Sequence, residues 1–284
     1  MAPRVSFLGP AGTFSDDALS ASVGSGVERV PKGSVFAAID AVIAQEVERA
    51  LVPFENSIEG SVRSTLDALA FDAPGIVIVG AVDHPVRHSL IARGELALDE
   101  VRAVVSHPQA NAQCARFIRE HLPRASVRAA PSTAEAVRIV SAEPEPWAAL
   151  GAASAAEIYG CVVIKEGVED SPENVTRFAW LAPSGTPNHG DGPWTTTLVF
   201  SEPGQDRPGA LVEALAEFSD REVNLTRIES RPRRTRLGSY MFFIDVEGAE
   251  SEDGVREAIG ALRRNAESVR ILGSYTVGGP PPLP

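Results

Sequence analysis

The segment Pro53–Gly60 (PFENSIEG) places several polar side chains directly after an apolar run that is typical of a strand. Residues just beyond the carboxyl end of a strand in an open α/β sheet face the ligand crevice. Glu55 and Glu59 could exchange protons with a substrate, and Asn56 and Ser57 could donate hydrogen bonds to a carboxylate. The segment could equally be an ordinary polar turn in which Asn56 or Ser57 caps the next helix. From these residues alone, both interpretations stay open.

A second polar segment, Gly9–Ser15 (GPAGTFS), follows the first strand-like run. A glycine turn that leads into a helix exposes backbone N–H groups, here near Gly12 and Thr13, which can bind a carboxylate or a phosphate. The segment has neither the Gly-Lys-Ser/Thr of a phosphate-binding loop nor the G-x-G-x-x-G spacing. Capping of the helix by Ser15, with two following aspartates that complement the helix dipole, is the favoured interpretation.

A third segment begins at Ser106 and opens a predicted helix over Gln109–Leu122. Gln109 and Gln113 are four residues apart, so they share one polar face of that helix. The two amides either point into a cleft or face water. The second interpretation is favoured, with His107 shaping the start of the helix.

The segment Asn174–Phe178 (NVTRF) is predicted to be a strand. Strand alternation puts Thr176 and Phe178 on one face and Arg177 on the other. A threonine without an assisting group is a poor acid, and a β-branched strand residue is the plain alternative for it.

Composition limits the kinds of protein that this chain can be. It has 284 residues, 44% apolar and 23% charged, as in ordinary folded domains. Its net charge of −12 disfavours binding to nucleic acid or to an anionic membrane surface. With only Cys114 and Cys161, it lacks a disulfide framework or a cluster of thiolate metal ligands. We therefore expect a cytoplasmic protein that spans no membrane.

Short apolar runs alternate with helical patterns through the first part of the chain. This alternation predicts α/β lobes with mostly parallel sheets and a ligand cleft between them. We expect residues 1–182 to form this unit. One lobe would contain 1–82 together with 166–182, and the other would contain 83–165.

The rest of the chain has a different pattern. Gly, Pro, Ser, Asn and Asp crowd residues 183–194, which indicates a linker. Residues 195–277 have the order β-α-β-β-α-β, which is the ferredoxin-like arrangement. Helices would cover one face of that sheet and leave the other face, or an edge, free for a second copy or a ligand. Residues 278–284 are expected to form a flexible tail.

Taken together, these segments resemble the monofunctional prephenate dehydratases that carry a C-terminal ACT regulatory domain. Each motif is weak alone, but their common order and spacing make the resemblance specific. The matching motifs are Gly9–Ser15, Pro53–Gly60, His88–Leu90, Ser106–Gln109 with Gln113 and Cys114, Ser132–Ala134, Asn174–Phe178, Gly209–Val212 and Glu229–Pro232. The resemblance implies a two-lobed catalytic domain, similar to type II periplasmic binding proteins, followed by the ferredoxin-like ACT domain.

The resemblance also implies an activity and a set of functional residues. The activity is conversion of prephenate to phenylpyruvate in L-phenylalanine biosynthesis, with feedback control by L-phenylalanine. In family terms Thr176 is the catalytic residue, with Asn56 and Gln113 as partners. The residues expected to contact substrate are Thr13, Glu55, Ser57, Ser106, Arg177 and Phe178. The L-phenylalanine site is expected between ACT domains, at Gly209, Ala210, Leu211 and Val212 with Glu229, Ser230, Arg231 and Pro232.

The implied reaction explains why no metal, no other cofactor and no strong nucleophile is expected. Loss of CO₂ and hydroxide makes the ring aromatic, so a hydroxyl that assists the leaving oxygen and neutral donors for two carboxylates can suffice. Two alternatives stay open: an arogenate dehydratase, or a non-catalytic protein that senses amino acids. Self-association through the ACT domains, as a dimer or a tetramer, is expected.

Overall fold

The chain forms three β-sheets in a computed structural model that describes residues 2–23, 26–188, 190, 192–203 and 207–279. The first lobe contains β1 (Arg4–Leu8), α1 (Phe14–Val23), β2 (Glu28–Lys32), α2 (Val35–Ile43), β3 (Arg49–Asn56), β4 (Gly60–Ser61), α3 (Arg63–Asp67) and β5 (Ile76–Pro85). The second lobe contains β6 (Ser89–Ala92), β7 (Ala103–Ser106), α4 (Pro108–Gln113), α5 (Ala115–His121), β8 (Ser126–Ala129), α6 (Thr133–Ala142), β9 (Trp147–Gly151), α7 (Ala153–Tyr159) and β10 (Val162–Lys165). The chain returns to the first lobe through β11 (Val175–Pro183). The C-terminal domain contains β12 (Trp194–Pro203), α8 (Ala210–Ser219), β13 (Leu225–Pro232), β14 (Tyr240–Glu247), α9 (Asp253–Asn265) and β15 (Ala266–Thr276).

The sheet of the first lobe has the strand order β2-β1-β3-β11-β5, with the short β4 paired to β3. β1 runs parallel to β2 and β3, whereas β11 runs antiparallel to its neighbours β3 and β5. Because β11 arrives from the second lobe and not through a local helix, it enters this sheet in the opposite sense.

The sheet of the second lobe is also mixed, with the order β10-β6-β9-β7-β8. β7 runs parallel to β8 and β9, and β6 runs antiparallel to β9 and β10. The expectation of mostly parallel sheets is therefore wrong for both lobes. Strand β5 continues to Pro85, beyond the lobe boundary expected at residue 82.

The helix predicted over Gln109–Leu122 is interrupted at Cys114, where α4 ends and α5 begins. The carboxylate of Asp170 accepts hydrogen bonds from the backbone N–H groups of Arg116 (2.9 Å) and Phe117 (3.3 Å). Asp170 therefore satisfies the free donors at the start of α5, which gives this short helix its own beginning. The break leaves Gln113 as the last residue of α4.

The C-terminal sheet has the order β13-β14-β12-β15, and α8 and α9 cover one of its faces. Phe218 of α8 and Ile259 and Leu262 of α9 pack there against Ile244 of the sheet. This β-α-β-β-α-β domain, together with the two preceding α/β lobes, confirms the predicted α/β architecture with a ferredoxin-like C-terminal domain.

The other face of the C-terminal sheet packs against the first lobe. Phe243 and Tyr275 of the C-terminal sheet belong to the same apolar core as Ile78 and Ala81 of β5. At Gly273 the approach is so close that a Cβ would overlap the carbonyl oxygen of Ile78. The expectation that this sheet face is free for a second copy is therefore wrong, and β13 and β15 are left as its edges.

The ends of the C-terminal domain are only partly described. The backbone N–H of Gly278 donates to the carbonyl of Ala81 at 3.0 Å. The rest of the expected tail, residues 280–284, lies outside the described residues. Within the described ranges, no helix is long and apolar enough to cross a bilayer.

Candidate active site

A cavity of about 330 Å³ opens between the two lobes, where β3 and β11 of the first lobe face α4 and the start of α6 in the second. This volume falls within the range of small-molecule sites. Among the described residues that line it, none is Lys or Arg. Its polar lining comes from Thr13, Ser15, Asn56, His88, His107, Gln109, Gln113, Ser132, Thr133, Asn174 and Thr176. The cavity is therefore lined largely by neutral hydrogen-bonding groups.

Asn56 lies at the end of β3, and its amide orientation is fixed by the turn that follows. Its Oδ1 accepts hydrogen bonds from the backbone N–H groups of Ile58 and Glu59, both at 3.0 Å. Its Nδ2 must therefore point the other way, where it donates to Thr176 Oγ1 at 2.9 Å and to Asn174 Oδ1 at 2.7 Å. The segment does form a polar turn, but the expectation that Asn56 or Ser57 caps the next helix is wrong, because α3 begins at Arg63 after Val62. Asn56 closes the turn and also lines the cavity.

Thr176 lies directly opposite Asn56 in the antiparallel pair of β11 and β3. It is buried, and it lines the cavity together with Phe178, as strand alternation predicts. Because the amide nitrogen of Asn56 can only donate, Thr176 Oγ1 accepts that hydrogen bond. The hydrogen of the threonine hydroxyl is then free to point into the cavity.

Gln113 reaches the cavity from the last turn of α4. Its Oε1 is 3.0 Å from the Nδ2 of Asn174 and 3.1 Å from the Nε2 of His88. The interpretation that the glutamines face water is therefore wrong for Gln113, whereas Gln109 is exposed at the border of the same cavity. His107 does shape the helix start as expected, because its Nδ1 accepts a hydrogen bond from the N–H of Gln109 at 3.3 Å.

Among the lining residues that were not predicted as site residues, His88 and Asn174 lie in motifs that were noted in the sequence. His88 and Asn174 are buried to 2% and 1% exposure, and both contact Gln113. Burial lowers the pKa of the His88 imidazole, which the hydrogen bond with Gln113 and the charge of Glu169 oppose. Their motifs were the only sequence signal for them, because their burial and their contacts with Gln113 join residues that are distant in the sequence.

Four residues expected to contact substrate do not line the cavity. The hydroxyl of Ser106 is fully buried and donates to the carbonyl of Leu150 at 2.7 Å, so it stabilises the sheet of the second lobe. The hydroxyl of Ser57 accepts a hydrogen bond from the backbone N–H of Val175 at 3.0 Å. Both hydroxyl groups therefore bind backbone groups of the protein.

Glu55 and Arg177 are the other two expected residues that do not line the cavity. Strand alternation turns both away from Asn56 and Thr176. The Arg177 guanidinium donates two hydrogen bonds to Asp83, at 2.7 and 2.8 Å, and this pairing raises the pKa of the guanidinium. The charge of Glu55 acts on Arg177 and on Arg227 of the C-terminal domain. Both therefore lie on the side of the first lobe that faces the C-terminal domain.

The segment Gly9–Ser15 contributes Thr13 to the cavity but uses its donors internally. The Thr13 hydroxyl lies 3.1 Å from the carbonyl of Leu8 and accepts the N–H of Asp16 at 3.4 Å. The N–H of Gly12 donates to the Asp16 carboxylate at 2.9 Å, so it is not free for a ligand. The expected cap at Ser15 is wrong, because α1 begins at Phe14 and Ser15 lies within it.

The residues expected to bind L-phenylalanine are not brought together within one chain. Gly209 adopts the left-handed conformation (φ 88°) before α8, and Ala210 and Leu211 line a second cavity with Tyr240 and Phe242. That cavity is not lined by any residue of 229–232 among the described residues.

The segment Glu229–Pro232 lies on the edge strand β13 and divides between the two faces of the sheet. Glu229 pairs with Phe243 and Arg231 with Met241, on the face that packs against the first lobe. Ser230 pairs with Phe242, and both Ser230 and Pro232 are exposed. Val212 is also exposed, at 70%.

Comparisons with known proteins cover nearly the whole chain. The family model for prephenate dehydratase matches residues 5–186, and that for the ACT domain matches residues 204–264. A prephenate dehydratase from Mycobacterium sp. (strain JLS) is 41% identical over 295 residues, which covers 99% of this chain and 92% of the relative.

Solved structures agree with the sequence comparisons. A prephenate dehydratase from Arthrobacter aurescens in complex with L-Phe superposes with a TM-score of 0.88, at 38% identity over 96% of this chain and 89% of that one. A protein described as a novel type of quorum-quenching acylase has a TM-score of 0.86, at 30% identity over 97% of this chain and 98% of that one. Since the first family model alone covers more than half of the sequence, the chain belongs to the prephenate dehydratase family and carries a C-terminal ACT domain.

Proposed function

We propose that this chain converts prephenate to phenylpyruvate, CO₂ and water, with Thr176 assisting the departure of the ring hydroxyl. The observation that carries the proposal is the Asn56–Thr176 pair, in which the threonine oxygen accepts a hydrogen bond and its hydrogen is left for the cavity. Membership of the prephenate dehydratase family supports the choice of substrate.

The reaction breaks the bond between the ring and its carboxylate carbon, and that electron pair completes the aromatic ring as the opposite C–O bond breaks. Hydroxide is a poor leaving group, so a hydrogen bond to the departing oxygen stabilises the charge that develops there. Thr176 donates that hydrogen bond. The departing hydroxide takes the proton of the threonine hydroxyl and leaves as water, and solvent then returns a proton to the threonine oxygen. CO₂ leaves with no electrons from the broken C–C bond, so the step is balanced without an oxidant or a metal.

The two carboxylates of the substrate would bind neutral donors. Gln113 and Gln109 of α4 line the same cavity as Thr176 and carry amide groups that can donate. Arg177 does not contribute, because its guanidinium binds Asp83. A carboxylate held by neutral donors in a closed cleft is desolvated, which favours its loss as neutral CO₂.

The test is to incubate the purified chain with prephenate and follow phenylpyruvate by its ultraviolet absorbance. We expect phenylpyruvate to form, and a larger kcat/KM for prephenate than for arogenate. Absence of product would contradict the proposal and favour a non-catalytic sensor. A larger kcat/KM for arogenate would favour the aminated substrate.

An acylase reaction, as named for one structural neighbour, is a second candidate, and it would need a nucleophile beside a base. In this cavity Thr176 Oγ1 contacts an amide that cannot accept a proton, and His88 Nε2 contacts Gln113. Among the described residues we find no activated nucleophile there. We therefore expect no hydrolysis of an N-acyl substrate under conditions in which prephenate is consumed.

We further propose that L-phenylalanine regulates the enzyme by binding between ACT domains of two copies. The L-Phe complex of the Arthrobacter relative supports the ligand. The separation of Ala210 and Leu211 from Glu229 and Arg231 supports a site completed by a second chain. The proposal includes a cytoplasmic location, which fits an enzyme of amino-acid biosynthesis.

Calorimetry with L-phenylalanine tests this second part. We expect binding by the wild-type chain and loss of binding in Gly209→Val, because valine disfavours the left-handed conformation at that position. Sedimentation should show a dimer or tetramer. A monomer that binds L-phenylalanine, or wild-type affinity in the variant, would contradict the shared site.

A further inference from the structure

We propose that His88 and Asn174 are positioning residues that aim the amide of Gln113 into the cavity. Neither residue needs to touch the substrate. They act through a chain of hydrogen bonds that joins both lobes, and each bond in it can run in only one direction. The proposal rests on the proposed function for the identity of the substrate.

The direction of the chain is set at the turn after β3. Two backbone N–H groups occupy Asn56 Oδ1, so its Nδ2 is the group that faces Asn174 and Thr176. Asn174 must then present its Oδ1 to Asn56, at 2.7 Å. That choice leaves the Nδ2 of Asn174 as the group that faces Gln113, at 3.0 Å.

The orientation of the Gln113 amide follows in the same way. Its Oε1 accepts from Asn174 and from His88, so its Nε2 is turned away from both. Among the described residues we find no acceptor for that Nε2, and Gln113 lines the cavity. A carboxylate in the cavity would therefore meet an N–H group and not a carbonyl oxygen.

His88 holds this orientation from the buried side. Only the tautomer with hydrogen on Nε2 makes the bond, because Gln113 Oε1 cannot donate. The Nδ1 of His88 is buried and has no partner among the described residues. Phe14 packs edge-on against the imidazole at 5.1 Å between ring centres, and Glu169 accepts the backbone N–H of His88 at 2.9 Å. These contacts hold the ring in place, and burial lowers the pKa of the imidazole, which favours the neutral ring that this hydrogen bond uses.

The positions of His88 and Asn174 in the chain also make the donor directions depend on how the two lobes are arranged. His88 lies on the segment that leaves the first lobe, and Asn174 lies on the segment that returns to it. The two segments are joined by backbone hydrogen bonds, from Val86 to Asn174 at 2.8 Å and from Val168 to His88 at 3.0 Å. Gln113 belongs to the second lobe and Thr176 to the first, so the donor directions are set together only when the lobes hold this arrangement.

A double-mutant cycle on prephenate kinetics tests the role of His88. In the wild-type background, we expect His88→Leu to raise KM roughly three- to tenfold with kcat within about twofold, because a carboxylate contact held by one hydrogen bond is weakened. In the Gln113→Ala background, the same change should alter neither parameter. His88→Gln, which keeps a donor N–H, should stay near the wild-type KM.

Asn174 is tested in the same way, through Gln113. We expect Asn174→Ala to raise KM for prephenate roughly three- to tenfold with kcat within about twofold, the scale of one lost hydrogen bond, and to change neither parameter in the Gln113→Ala background. Thermal melting of each variant provides the check that the chain is folded.

Different results would contradict the positioning role and the proposed catalytic activity. Additive effects in either cycle, or a His88→Gln enzyme as impaired as His88→Leu, would overturn the positioning role while phenylpyruvate is still made. Failure of the wild-type chain to form phenylpyruvate would instead overturn the proposed function. If His88→Leu fails to fold, the Asn174 cycle and the His88→Gln enzyme still decide the matter.

Discussion

At the scale of single residues, the site depends on which way a group donates as much as on which residue is present. Asn56, Gln113 and Thr176 could be expected from short motifs in family order, and the structure brings them to one cavity. Glu55 and Arg177 are their sequence neighbours but lie on the other strand face. Motif membership identified a segment, whereas alternation and local hydrogen bonds decide which of its members reach the ligand.

Substitution of Arg177 tests whether motif membership or side-chain direction decides which residues bind the substrate. Its guanidinium is bound to Asp83 in a partly exposed ion pair, and such pairs stabilise proteins by about 0–1 kcal/mol. We expect Arg177→Gln to lower the melting temperature slightly and to leave KM for prephenate within about twofold, as seen in a steady-state assay. A rise in KM beyond about tenfold would mean that Arg177 binds the substrate.

At the scale of elements, α7 holds the two lobes together through contacts with the loop before α1 and with the first turn of α1. Tyr159 of α7 donates to the carbonyl of Ala11 at 3.0 Å, and Ser154 donates to the carboxylate of Asp17. A Cβ at Gly12 would lie 3.1 Å from Ala155, so glycine permits this approach. These contacts between elements distant in sequence could not be predicted from spacing, and neither could the break at Cys114, which depends on Asp170.

Asp17 makes this contact dependent on pH. Burial raises its pKa above the ordinary value of 3.8, against the hydrogen bond from Ser154 and the nearby His84, which lower it. A carboxyl with a raised pKa stabilises the fold while it is protonated, and this contribution is lost as the pH rises through the folded-state pKa.

We therefore expect Asp17→Asn to be more stable than the wild type at pH 7, with the difference shrinking as the pH falls towards 4. The amide keeps an acceptor for Ser154 without the cost of a buried charge. Urea unfolding at several pH values gives the comparison. A variant less stable than the wild type at pH 7 would show that the ionised carboxylate is itself stabilising.

At the scale of the whole molecule, the C-terminal domain contacts the part of the first lobe that carries Asn56. Arg227 of β13 lies over the ring of Phe54 at 4.7 Å and donates to Ser61 at 3.3 Å, so it contacts both strands beside the Asn56 turn. Arg231 of the same strand donates to Asp67 of α3 at 2.7 Å. The domain order could be predicted from the sequence, but not that the second sheet face would be covered by the first lobe, because an apolar face does not specify its partner.

Substitution of Asp67 tests whether these contacts transmit the effect of bound L-phenylalanine to the catalytic lobes. Its carboxylate binds both Arg231 and Arg234, so Asp67→Asn weakens the link between β13 and the first lobe. We expect activity without L-phenylalanine to stay within about twofold and inhibition by L-phenylalanine to weaken roughly tenfold, within the usual range of coupling energies. Glu267→Gln, which alters an exposed ion pair inside the C-terminal domain, is the matched control. Unchanged inhibition in Asp67→Asn would assign the coupling to other contacts.

The kcat of Thr176 variants with prephenate tests the account most directly. We expect Thr176→Ala to lower kcat by about 10²–10⁴-fold, the scale of a lost acid or hydrogen-bond donor in the transition state, with little change in KM. Thr176→Ser keeps the hydroxyl opposite Asn56 and should retain much of the activity. A Thr176→Ala enzyme with a kcat near that of the wild type would contradict the account, because the leaving oxygen would then need no help from this hydroxyl.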